Sequence, residues 1–139
     1  MDRLAPVWRV QDAEGRGPFR PGFSRRWSDA EDGDAPPRPR PFWEELGWSL
    51  ASVPLRAFPG EHLGSACRSL AGLAWWLTPT EATRLARFGY QIVTLVPTRI
   101  VGESESQVVI ARLTPFREGA LVVPWAALDA ARPLVDTRG

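Results

Sequence analysis

Ser69-Leu70-Ala71-Gly72-Leu73-Ala74-Trp75-Trp76-Leu77 runs straight into Thr78-Pro79-Thr80-Glu81, and Phe88-Gly89-Tyr90-Gln91-Ile92-Val93-Thr94-Leu95-Val96 follows soon after. Ser69 is a good N-cap residue, and Leu70, Leu73, Trp76 and Leu77 share one face at helical spacing. This predicts a helix over 69–77 with Trp75 and Trp76 directed mainly to the core. Thr78 at the next N-cap, Pro79 at N1 and Glu81 at N3 spell a capping box. A second helix over 79–88 therefore continues through Ala82, Leu85, Ala86 and Phe88, and Gly89 supplies its left-handed stop. Two helices in direct succession, with strands on either side, imply an α+β fold and not alternating βαβ units.

Outward from this pair, β-branched runs predict strands over about 90–97, 106–113 and 120–124, with Pro97 to Ser106 as the connection between the first two. Near the start, residues 6–11 read as another strand. Alternation places Trp8 and Val10 on one of its faces and Val7 and Arg9 on the other. From Gly15 to Pro41 the chain is rich in glycine, proline, arginine and aspartate, which predicts a long loop, either a lid over a cleft or a partner-binding arm. Within it Pro36-Pro37-Arg38-Pro39-Arg40-Pro41 has the stiffness of a spacer. Phe42-Trp43-Glu44-Glu45-Leu46-Gly47-Trp48 is expected to make one or two helical turns whose aromatic residues anchor the loop on the core.

A chain of 139 residues, 44% of them hydrophobic, fits one packed domain, 1–139. All 17 basic residues are arginine, so any cation brought to a site is a planar, permanently charged fork suited to phosphate or carboxylate. The net charge of +1 argues against a nucleic-acid-coating protein, and no predicted helix carries a basic face, so direct DNA binding is not expected. One cysteine, Cys67, and one histidine, His62, set aside an internal disulfide and a zinc site of the usual kind. No apolar run approaches the roughly 20 residues that span a bilayer. Met1-Asp2-Arg3 leads into a strand and not into an export segment, which gives a cytoplasmic location with no membrane as the expectation.

Trp8-Arg9-Val10, then Gly15-Arg16-Gly17-Pro18-Phe19, Arg68-Ser69-Leu70, Trp76-Leu77, Phe88-Gly89-Tyr90 and Gln107-Val108 stand in an order and spacing that resembles a family of small bacterial and phage proteins. Members of that family open on tyrosine-arginine-valine-glutamate-aspartate and continue glycine-x-glycine-proline-tyrosine. The resemblance implies an ADP-ribosyltransferase-like fold of split β-sheets around two central helices, in which NAD lies between the sheets. It also implies that Arg9 contacts cofactor phosphate or ribose, that His62 and Ser65 enter the middle strand beside the ligand, and that a late-strand carboxylate stabilises positive charge on the ribose. At that late strand the chain reads Glu103-Ser104-Glu105-Ser106-Gln107-Val108, so the residue before the valines is Gln107 and the available carboxylate is Glu105. If the strand starts at Glu105, the two point to one face, with Glu105 acting electrostatically and Gln107 on the ligand. Each residue also has a plain structural reading: Arg9 paired with Asp12 or Glu14, His62 as an ordinary surface residue, and Glu103 and Glu105 as solvated loop carboxylates.

Two function classes follow. One is an NAD-dependent ADP-ribosyltransferase or NAD-cleaving enzyme using Arg9, His62, Ser65, Gln107 and Glu105. The other is a noncatalytic relative of phage or prophage type that binds a host protein or nucleoprotein complex, for instance as an anti-CRISPR or other anti-defence inhibitor. Seven tryptophans and many arginines suit a protein interface. The acidic-then-basic arm, Asp29, Glu31, Asp32 and Asp34 followed by Arg38 and Arg40, is the expected partner-binding segment, with its carboxylates placed to mimic nucleic-acid phosphate. The departure from a carboxylate at Gln107 favours the binding class.

Overall fold

The computed structural model describes residues 4–19, 26–27 and 46–132. The order is β1 (Val7–Gln11), a 3₁₀ turn (Leu50–Arg56), β2 (His62–Ala66), α1 (Leu70–Trp76), α2 (Pro79–Arg87), β3 (Gln91–Leu95), β4 (Arg99–Glu103), β5 (Val108–Arg112), β6 (Leu121–Val123) and α3 (Trp125–Ala131). The fold is α+β, with two small antiparallel sheets of three strands each, ordered β1-β3-β6 and β2-β5-β4. They meet where Trp8 and Cys67 exchange backbone hydrogen bonds of 2.8 and 2.7 Å.

Local chemistry sets both central helices as the sequence implies. The Ser69 hydroxyl accepts from the Gly72 amide at 2.9 Å, and Thr78 and Glu81 close a reciprocal capping box at 3.1 and 3.0 Å. Gly89 turns the chain at φ +83°. The last carbonyls of α1 are held from outside: Arg132 Nη1 donates to Ala74 O and Leu77 O at 2.7 and 2.6 Å. Leu73, Trp76, Leu77, Leu85 and Leu128 bury against Val10 and Ile92 of the first sheet, and each such leucine contributes on the order of 2 kcal/mol. A second cluster, Val7, Val93, Leu95, Val108, Ile110 and Phe116, fills the space between the two sheets. The first sheet is thus covered on both faces, and the alternation of β1 sends Val7, Arg9 and Gln11 toward the second sheet.

Several expectations need correction. The connection 97–106 contains strand β4, which pairs with β5 across a bulge between Ile100 and Gly102. Trp48 and Leu46 pack on Gly102 so closely that an added Cβ would stand 3.0 and 3.1 Å from them. Pro124 falls outside β6 and stands at the N-cap of α3, a helix that the sequence reading does not include. Trp75 is 59% exposed, whereas Trp76 is core. Strand bounds contract to those given above. The arm residues Asp29, Glu31, Asp32, Asp34, Arg38 and Arg40, and the segment Phe42 to Glu45, lie outside the described residues. Among the described residues no helix is long and apolar enough to cross a membrane, and no cluster of histidine, cysteine and carboxylate groups could hold a metal.

Candidate functional site

Arg9 lies at the junction of the sheets, 4% exposed. Its Nε donates to Gln11 Oε1 at 3.1 Å, Nη1 to Ser65 O at 2.8 Å and Nη2 to Gly15 O at 3.0 Å. A guanidinium has five N–H donors, so among the described residues these three bonds leave one unspent N–H on each terminal nitrogen. The Phe116 ring centroid is 4.5 Å from the Arg9 Cζ, a cation–π contact, and Gln11 Nε2 donates to Phe116 O at 3.0 Å. One residue of β1 thereby fastens β2, the loop after β1 and the loop after β5.

Among the described residues no carboxylate pairs with this buried charge. Asp12 is engaged by Arg16, whose Nε donates to Oδ2 at 2.8 Å while the Arg16 and Glu14 amides donate to Oδ1 at 2.9 and 3.0 Å. Partial burial alone would raise the Asp12 pKa, but those hydrogen bonds outweigh it and hold the group below its usual value. Burial lowers the Arg9 pKa to about 10, with Asp12 and Tyr90 partly opposing the shift, so the guanidinium stays charged at neutral pH. Carbonyl dipoles and the aromatic face of Phe116 stand where a counter-ion would otherwise be required.

A cleft of about 560 Å³ opens onto Arg9 from the side of His62, Arg16, Phe116 and Arg117, and a recess of about 210 Å³ continues it past Gly17, Leu63, Gly64 and Ser65. Gly64 and Gly17 give the guanidinium its room. A Cβ on Gly64 would stand 2.6 Å from Arg9 Nη1, and one on Gly17 would stand 3.4 Å from Nη2. Arg117 is exposed on the cleft rim and makes no ion pair among the described residues. Exposed His62 lies edge to face with Phe116, centroids 6.3 Å apart. The cleft's carboxylate is Glu14, 3.3 Å from Arg16 Nε. Chemically, the arrangement can receive an anion on the Arg9 fork and support it with Arg117.

Arg9, His62 and Ser65 are brought together here. Glu105 and Gln107 are not among the residues that line the cleft. β5 begins at Val108, and the Ser104 amide donates to Gln107 O at 2.8 Å, which closes a tight β4–β5 turn with Glu105 exposed at its tip. Gln107 is buried at the base of that turn, and Glu103 makes a two-pronged ion pair with Arg68. The alignment of Glu105 and Gln107 on one strand face therefore does not hold. Nor does the pairing of Arg9 with Asp12 or Glu14.

Three residues of the site escaped sequence reasoning: Gln11, Phe116 and Arg117. Alternation on β1 could have found Gln11, since it shares the face of Arg9. Comparison of the chain with protein-family models, curated proteins and solved structures gives no match.

Proposed function

We propose that this chain is a binding protein of phage or prophage type on an ADP-ribosyltransferase-like scaffold, engaging a host macromolecular complex such as a defence assembly and not turning over NAD. Two three-stranded sheets that part around a buried arginine support the scaffold assignment. The observation that carries the noncatalytic reading is the position of Glu105. Cleavage of a nicotinamide ribose bond needs a carboxylate against the developing positive charge, whereas Glu105 is exposed at a hairpin tip and does not line the Arg9 cleft. Glu14, which does line it, is engaged with Arg16.

The test incubates the protein with labelled NAD and a bacterial lysate, beside Glu105→Gln and Glu14→Gln variants, and reads freed nicotinamide, transferred label and retained partners. The expected result is no nicotinamide or label above the blank and a host complex retained without added NAD. Nicotinamide release that disappears in either variant would establish the NAD-cleaving enzyme instead and overturn the proposal.

A further inference from the structure

Resting on the reading of this chain as a binding protein, we infer that the Arg9 cleft is a receptor for a single carboxylate of a protein partner, either a C-terminal carboxylate or an aspartate or glutamate side chain. Charge count around the cleft favours a monoanion. Arg16 is already neutralised by Asp12 and Glu14, so among the described residues the cations left to a ligand are Arg9 at the base and Arg117 on the rim. Glu14 remains on the wall, and its negative charge opposes a pyrophosphate more than a singly charged group.

The donor geometry agrees with this choice. Each terminal nitrogen of Arg9 keeps one N–H without a partner among the described residues, which is two donors for the two oxygens of one carboxylate. Gly64 gives Arg9 the room to lie against β2, and Gly17 and Gly64 both line the recess that the guanidinium faces. The flanking walls, Phe19, Leu63 and Pro115, are apolar and fit the aliphatic stem or backbone that carries a peptide carboxylate. Ser65 Oγ lies beside the recess with no hydrogen bond among the described residues, a donor available to the same group.

The experiment is an NMR titration of the ¹⁵N-labelled full chain that follows the Arg9 Nε–H resonance and the Gly15 and Ser65 amides. The probes are N-acetylglycine, which carries a C-terminal type of carboxylate, N-acetylaspartate amide, which carries a side-chain carboxylate, and inorganic pyrophosphate. At least one carboxylate is expected to move all three resonances saturably, and whichever binds tighter identifies its source. Arg117→Ala, a rim variant that leaves the core intact, should weaken that binding about tenfold. Pyrophosphate binding tighter than either carboxylate, or no saturable shift of the Arg9 Nε–H with either, would overturn the inference. Both results leave the binding-protein reading standing, because that reading falls only to nicotinamide release.

Discussion

Replacing Gly64 by alanine puts the packing around Arg9 to the test. The new Cβ would stand 2.6 Å from Arg9 Nη1 and 2.8 Å from Phe116 Cε2, against an ordinary contact of 3.4 Å or more. The nitrogen must therefore retreat by about 0.8 Å and the ring by about 0.6 Å. Nη1 is bonded to Ser65 O at 2.8 Å, so a retreat of that size carries the pair beyond hydrogen-bond range. Overpacking costs about 1–3 kcal/mol, and loss of a hydrogen bond from a charged group adds about 1.5–3 kcal/mol. The combined effect is a fall in Tm on the order of 10 °C for a chain of this length. Gly17→Ala is the control, since its Cβ would meet Arg9 Nη2 at 3.4 Å, and its Tm is expected to stay near that of the parent chain. Thermal unfolding followed by circular dichroism reads both variants. A Gly64→Ala protein that melts within about 2 °C of the parent would refute the claim that Arg9 is fixed where the structure places it.

Three further outcomes are expected. Thr78→Ala removes the hydroxyl that accepts from the Glu81 amide and should lower stability by about 1 kcal/mol in a urea titration, with an unchanged m-value. Hydrogen bonds from Arg99 hold the Glu61 carboxyl below its usual value. A depressed carboxylate pKa contributes stability above the unfolded-state value of 4.5 and loses it as pH falls through the folded value, so Glu61→Gln should flatten the acid side of a Tm-against-pH curve below about pH 5. Trp75→Ser, at an exposed position of α1, should shift Tm far less than Trp76→Ser, whose ring is buried; comparable losses would contradict the assigned orientation of α1.

The helical centre of this fold is legible because its signals are local. Ser69, Thr78, Pro79, Glu81 and Gly89 each act on the backbone within about four residues, so reading them in order gives both helices and their ends nearly where they fall. β4 is illegible for the opposite reason. The strand is defined by pairing with β5, and Gly102 within it is packed on by Trp48 and Leu46, residues more than fifty positions away that nothing in Arg99-Ile100-Val101-Gly102-Glu103 announces. Pro124 has two meanings, strand stop or helix start, and only the packing of Leu128 onto the core decides between them.

The candidate site divides along the same line. Alternation in β1 assigns Arg9 to a face, but what that face meets is a set of backbone carbonyls, Ser65 O and Gly15 O, and carbonyls have no residue type to read. Glu105 was misplaced because the face of a strand residue depends on where the strand begins, and that is fixed here by the Ser104-to-Gln107 turn and not by the run of valines. A buried arginine serving only to tie two sheets together would be a costly device, since an apolar side chain of the same length could fill the junction without desolvating a charge. Gly64 serves the tie itself, since a Cβ there would displace Arg9 Nη1, but the N–H groups of Arg9 left without a partner among the described residues, beside a cleft, are a feature that a purely structural tie does not require, and they concentrate the case for function on this one residue.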